Sequence, residues 1–255
     1  MTTPAAVTVV DLSTASAEAH EIAAATHIGP VRQENQDALA ATPLRGGDGV
    51  GVVVADGMGG LPGGREAATA AVAAALAVLA AGAAEPSTLV AAVDAANLAV
   101  AALRGEVGGQ PGTTLTMAAV SGHQAVIGHA GDSRAYLFRG GSARVLTSDH
   151  SWVGERVRAG ELPAGSERRH PRRNVITRAV MGDQLDPEVL SIGLEPGDTL
   201  MLCSDGFWEP LDDEPIAALL DTPGPLTAVV ERAAQAALEA GATDNVTLLA
   251  LRLRT

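Results

Sequence analysis

Four aspartates stand where the chain leaves or enters an apolar run. Asp56 follows Gly51-Val-Val-Val-Ala and leads into Gly57-Met58-Gly59-Gly60. Asp132 ends Ile127-Gly-His-Ala-Gly before Ser133 and Arg134. Asp205 follows Leu200-Met-Leu-Cys-Ser and precedes Gly206, and Asp244 with Asn245 precedes a terminal apolar run. A carboxylate at the end of a buried strand is costly to desolvate unless positive charge lies beside it. The glycines that follow let the backbone turn sharply and approach a ligand. No basic residue lies within several positions of Asp56, Asp205 or Asp244, so a bound metal ion is the simplest counter-charge. Carboxylates, carbonyls and water suit Mg²⁺ or Mn²⁺, whereas zinc would call for histidine or thiolate. One Asp-Gly pair reads as a turn; the same context repeated reads as a ligand set. A further element, Gly29-Pro-Val31-Arg32-Gln-Glu-Asn35-Gln36-Asp37, offers an arginine fork for a pair of phosphate oxygens and polar side chains to order water.

Composition bounds what those residues can serve. The 255 residues are 47% hydrophobic and 18% charged, enough for one large domain with its own core. The net charge of −13 and an aromatic content of 2% argue against a nucleic-acid partner, which needs clustered cations and aromatic faces for stacking. All 17 basic residues are arginine, leaving no lysine for a Schiff base or a Walker loop. The single cysteine, Cys203, excludes an internal disulfide framework and reads as a compact core residue in a reducing compartment. With no basic stretch ahead of the first apolar residues, the expected location is cytoplasmic. Residues 67–84 carry no charge, but their alanine-rich make-up and narrow stripe of larger side chains predict a helix on a core rather than a membrane span.

The elements that must position the acids follow from periodicity. Strand patterns fall at 21–27, 51–55, 113–120, 124–130, 134–139, 189–194, 199–204 and 246–253. Helical patterns fall at 65–80, 87–103, near 214–221 and at 226–240. Glycines at 122, 140 and 141 suit tight antiparallel turns. Strands grouped in hairpins and helices grouped in pairs predict antiparallel sheets covered by helices, not a doubly wound parallel sheet. Residues 1–20 carry no strong pattern and read as a loose leader or an extra edge strand; residues 21–255 read as one domain.

These motifs, with Gly112-Thr113-Thr114, Leu146-Thr-Ser-Asp149-His150-Ser151 and Asn174-Val-Ile-Thr177-Arg178-Ala179 in order between Ala24 and Leu253, resemble the metal-dependent serine/threonine protein phosphatases. This is the PPM or type 2C family, in its bacterial branch. The resemblance implies an α+β fold, a four-layer αββα sandwich with two central antiparallel β-sheets flanked by pairs of helices. It implies two Mn²⁺ or Mg²⁺ ions, with Asp56 bridging them, the Gly57 carbonyl on one, and Asp205 and Asp244 completing the other. Asp132 with Asp205 would hold a third, weaker ion. Arg32 would clamp the phosphate, while Asp37 and Asn245 would orient water or ligands. The implied reaction is attack on phosphoserine or phosphothreonine by a hydroxide shared between the ions, without a phosphoenzyme. The implied partners are phosphorylated proteins, the targets of a bacterial Ser/Thr kinase; neither nucleic acid nor membrane is expected.

Met58 stands where eukaryotic relatives carry a histidine that serves as general acid, so the proton for the leaving oxygen must come from elsewhere. Metal-bound water is the first expectation and His150 the second. The segment at about 150–183 matches the family's flap. Between its residues 156 and 178, Arg156, Arg158, Arg168, Arg169, Arg172, Arg173 and Arg178 stand against Glu161 and Glu167, a local balance of +5. The expectation is that this charge steers phosphorylated segments toward the metals, with a purely solvating loop as the alternative. Trp152 is expected to anchor the flap by packing. A cysteine phosphatase would need arginine six positions after its nucleophile, and Glu209 occupies that place. A phosphoprotein-binding pseudophosphatase and a hydrolase of small phosphoesters are the competing readings.

Overall fold

Alternation of side chains along the apolar runs decides the layers. The computed structural model describes residues 6–15, 20–47, 49–58 and 63–254. Its strands are β1 (Thr8–Asp11), β2 (His20–His27), β3 (Asp37–Pro43), β4 (Gly49–Asp56), β5 (Leu115–Ser121), β6 (Gln124–Ala130), β7 (Arg134–Arg139), β8 (Ser142–Val145), β9 (Glu188–Gly193), β10 (Thr199–Cys203) and β11 (Val246–Leu253). The helices are α1 (Gly64–Ala81), α2 (Pro86–Leu103), α3 (Trp152–Arg158), α4 (Asp205–Trp208), α5 (Asp213–Leu220) and α6 (Leu226–Glu239). One sheet runs β1-β2-β11-β10-β7-β8 and the other β3-β4-β5-β6-β9. Every pairing is antiparallel.

Along β4, Val50, Val52 and Val54 enter the core between the sheets, while Val53 and Ala55 pack beneath α1 and α2. Along β11, Leu249, Leu251 and Leu253 face the inter-sheet core and Val246, Leu248 and Ala250 face α6. This two-residue period gives each sheet two buried faces, and hence four layers. Helices α1 and α2 are each long and apolar enough to cross a membrane by length and composition. Here they lie against one another and the sheet, burying Ala67, Ala68, Ala71, Ala92 and Ala96. Small residues on those faces allow close approach.

Of the two readings of residues 1–20, the extra edge strand is the one found for Thr8–Asp11, which pairs with β2; residues 1–5 and 16–19 lie outside the described residues, as do Gly59 and Gly60. Strand β3 shows no strand pattern in the sequence because its alanines carry little β preference; it is held by its register with β4. In the flap, Trp152–Arg158 forms a helix whose Ser151 side chain accepts the Gly154 N–H, an N-cap that the sequence patterns leave unassigned.

Candidate active site

Antiparallel pairing brings the acids to one end of the sandwich. The end of β4 and the start of β3 put Asp56 and Asp37 directly opposite each other. The ends of β6 and β10 deliver Asp132 and Asp205, and the approach to β11 delivers Asp244. Asp56, Asp132, Asp205 and Asp244 line one cavity of about 530 Å³, with Arg32, Met58, Thr114, residues 174–179 of the flap and Met181.

Backbone packing explains the glycines beside these acids. A Cβ on Gly206 would lie 2.1 Å from the Asn245 carbonyl oxygen, so only glycine lets the chain after Asp205 lie against the chain after Asp244. At Gly57 a Cβ would meet the Gly64 carbonyl oxygen at 2.3 Å. Flanking this glycine, Met58 N–H bonds Gly112 and Thr114 N–H bonds Asp56, so the Gly57 carbonyl is not an acceptor in that bridge.

Hydroxyls and amides fix the acids in place. Thr114 Oγ1 accepts the Asp56 N–H at 2.9 Å and lies 2.7 Å from Ser133 Oγ, linking the Asp56 and Asp132 loops. Thr113 Oγ1 donates to the Asp56 carbonyl. Asp37 Oδ2 accepts from Ser204 Oγ at 2.9 Å, next to Asp205. Asn245 Oδ1 accepts the Gln36 N–H, and its Nδ2 donates to the Ile28 and Glu34 carbonyls. The loop bearing Arg32 is thereby tied to the residue after Asp244. Trp208 Nε1 donates to the Asp132 carbonyl at 3.0 Å, and its ring lies under the Arg134 guanidinium. Arg134 holds Asp149 in a buried two-point pair at 2.9 and 2.7 Å.

The electrostatics are those of crowded acids. Burial, then Asp37, Asp205, Asp132 and Asp244, drives the Asp56 carboxyl well above its ordinary range. Burial, then Asp132 and Asp244, does the same to Asp205. Asp132 is pushed up to about 7 by burial and by Asp149, and Asp37 to about 6 by burial against the pull of hydroxyl donors such as Ser204. Asp205 Oδ1 is buried and has no hydrogen-bond partner. Oxygens concentrated in this way fit a hard divalent cation in donor type and in sign of charge. Arg32 is also drawn in, its Nη2 lying 2.5 Å from Asp244 Oδ2.

Several expectations are revised. His150 does not line the cavity; it is buried against His129, with ring centroids 4.8 Å apart. Burial, His129 and Arg178 lower its pKa to about 3, so it is neither placed nor protonated to act as general acid. The flap arginines are mostly committed to structure. Arg168, with a side chain 10% exposed, donates to the Leu211 carbonyl and pairs with Asp213. Arg173 pairs with Glu209, and Arg158 donates to the Asp149 carbonyl. Trp152 is an anchor as expected, stacked on His170 and covered by Arg156 and Arg172. Arg169 is 82% exposed, with Asp212 at 3.9 Å. Cys203 is buried, and burial pushes its thiol up, as befits a core residue. The sequence reading gave no role to Thr114, Ser133, Glu209 or Met181, although the Gly112-Thr113-Thr114 and Gly131-Asp132-Ser133 motifs already contained the hydroxyl link.

A family model described as protein phosphatase 2C matches residues 27–245. The chain belongs to the protein phosphatase 2C family. Among bacterial members, protein phosphatase PhpP of Streptococcus pneumoniae is 33% identical over 241 residues, covering 89% of this chain and 95% of PhpP. Serine/threonine protein phosphatase PstP of Mycobacterium tuberculosis is 36% identical over 232 residues, covering 89% of this chain and 44% of PstP. The solved S. agalactiae serine/threonine phosphatase superposes with a TM-score of 0.85 at 30% identity, covering 92% of this chain and all of that one (100%). The catalytic domain of PstP in complex with 2 manganese ions gives 0.81 at 31% identity, covering 92% and 99%. The chain is thus a serine/threonine-class protein phosphatase of the 2C family, and the family's paired antiparallel sheets with flanking helices are the architecture found.

Proposed function

We propose that this phosphatase hydrolyses phosphoserine and phosphothreonine in proteins with two Mn²⁺ or Mg²⁺ ions held by Asp56, Asp205 and Asp244 and the Gly57 carbonyl. A third, weaker ion would be held by Asp132 and Asp205. The observation that carries the reading is the buried, unpartnered Asp205 Oδ1 among Asp56, Asp132 and Asp244, because a buried carboxylate oxygen that accepts no hydrogen bond calls for a cation. When bound, the ions supply charge that lowers the pKa of water, so that a hydroxide nucleophile exists at neutral pH.

The chain's own groups do the rest. Arg32 holds phosphoryl oxygens and stabilises the charge that develops on them. Asp37, fixed by Ser204, faces Asp56 and orients water beside it. Asn245 fixes the Arg32 loop against Asp244, and Thr114 fixes Asp56. Met58 lines the cavity but donates no proton, and among the described residues no histidine lines it; water in the cavity therefore protonates the leaving oxygen. With Cys203 buried, a single in-line displacement needs no covalent intermediate.

The setting we propose is the cytoplasm, with targets of a bacterial Ser/Thr kinase as substrates. The charge of −13 supports a protein rather than a nucleic-acid partner, and the packing of α1 and α2 on the sheet supports a reading without a membrane. The test is hydrolysis of p-nitrophenyl phosphate and a phosphothreonine peptide, with Mn²⁺ and with a chelator, in wild type and Asp205→Asn. The reading expects turnover only with metal and the intact aspartate, faster on the peptide. Faster turnover of the small ester would favour a small-phosphoester hydrolase.

A further inference from the structure

The flap contributes residues 174–179 to the cavity wall, and within it Arg178 is the one cation; the cavity's other cation is Arg32. The two differ in their engagement. Arg32 is held by Asp244. Arg178 makes no ion pair among the described residues, and its side chain donates from Nη1 to the Asp186 carbonyl at 3.3 Å. Four of its flap neighbours are in ion pairs, Arg156 with Glu161, Arg168 with Asp213, Arg169 with Asp212 and Arg173 with Glu209; Arg158 donates to the Asp149 carbonyl and Arg172 lies over the Trp152 ring, and neither lines the cavity. A half-buried guanidinium lining an acid-walled cavity would ordinarily collapse onto a carboxylate. This one is kept off them, with most of its five N–H donors uncommitted.

The backbone explains how it is held. One residue before it, Thr177 N–H donates to the His150 carbonyl at 2.8 Å. Two residues after it, Val180 exchanges both backbone hydrogen bonds with Thr113, at 2.9 and 3.1 Å. Thr113 in turn donates its hydroxyl to the Asp56 carbonyl. Arg178 is therefore braced on both sides against the strand ends that carry the acids, and its position relative to Asp56 is set before a ligand arrives.

We propose that Arg178 is a second phosphoryl-binding arginine, donating from the flap to non-bridging oxygens of the substrate phosphoryl group. This rests on the phosphatase reading above. A phosphate monoester dianion presents three such oxygens, and a guanidinium fork meets two of them at once. The stronger hydrogen bonds to charged partners make its loss worth about tenfold or more in affinity.

The test compares wild type, Arg178→Ala and Arg178→Lys with Mn²⁺ present. It measures kcat/KM for p-nitrophenyl phosphate and for a phosphothreonine peptide, the Kd of inorganic phosphate by calorimetry, the Mn²⁺ affinity and the thermal midpoint. Arg178→Ala is expected to lower kcat/KM about tenfold or more on both substrates and to weaken phosphate binding by a similar factor. Its Mn²⁺ affinity and midpoint are expected to stay unchanged, and lysine to restore part of the loss. Unchanged phosphate binding, a loss confined to the peptide, or weakened Mn²⁺ binding would each overturn the assignment. If wild type turns over neither substrate, the phosphatase reading fails instead, and the phosphate calorimetry still decides the role of Arg178.

Discussion

Arg32 Nη2 lies 2.5 Å from Asp244 Oδ2, so the cation proposed for the phosphoryl group and a carboxylate proposed for the metal hold one another. A metal ion and a guanidinium draw on the same oxygens of Asp244. Replacing Arg32 with alanine removes the competitor, and Mn²⁺ is expected to bind severalfold more tightly. kcat/KM is expected to fall by about 10²-fold, the scale of losing one transition-state donor. Calorimetry beside steady-state kinetics checks both halves. A variant with weaker Mn²⁺ binding and intact turnover would contradict the competition.

Asp205→Asn tests the mutual repulsion of the acids. Burial and the neighbouring Asp132 and Asp244 raise the Asp205 carboxyl, so at neutral pH its ionised form opposes folding unless a cation is bound. The variant is therefore expected to melt higher than wild type in chelator and to show little gain on adding Mn²⁺, whereas wild type gains strongly. Scanning calorimetry in both conditions decides it. The reverse ordering would show that this carboxylate stabilises the fold by itself.

Much of this site was legible in the sequence because acids at strand ends followed by glycine are local patterns. Asp56-Gly57 and Asp205-Gly206 announce both a carboxylate and the close backbone approach that the folded chain requires. The link from Thr114 to Ser133 spans one hairpin and was within reach of the turn at Gly122. The pairing of Arg32 with Asp244 joins residues 212 apart in the chain, and no spacing rule reaches that far. The flap arginines misled for the same reason. A run of like charge reads as free until the partners Asp213 and Glu209, from another part of the chain, are seen. Strand β3 was invisible because alanine is neutral as to strand, and the partner strand decides.

Arg168 and Arg169 are adjacent in sequence but should behave differently. Arg168 is nearly buried and bonded to Leu211 and Asp213, so alanine there is expected to cost about 1–3 kcal/mol of stability. At exposed Arg169 the cost should stay within about 0.5 kcal/mol, any effect appearing instead as reduced salt dependence of kcat/KM on acidic phosphopeptides. Urea unfolding of both variants checks the contrast. Equal costs would contradict the structural role of the Arg168 contacts with Leu211 and Asp213.

The buried His129 and His150 pair, with rings tilted 35° to one another, should make the fold acid-sensitive. Burial lowers His129 to about 4 and His150 to about 3 from an ordinary 6.5. The unfolded chain thus takes up protons first. Their contribution to stability is full above pH 6.5 and is lost as pH falls toward 4 and 3. His129→Gln should flatten the fall in urea midpoint between pH 7 and pH 4.5, whatever its effect at pH 7. An unchanged slope would place the acid sensitivity elsewhere.

The most direct measurement is hydrolysis of a phosphothreonine peptide by the same preparation with Mn²⁺, after chelation, and after Mn²⁺ is restored, with bound ions counted by calorimetry. Turnover that disappears and returns with at least two ions bound, and is absent in Asp205→Asn, is the predicted result. Undiminished turnover in chelator would contradict the role given to the acids.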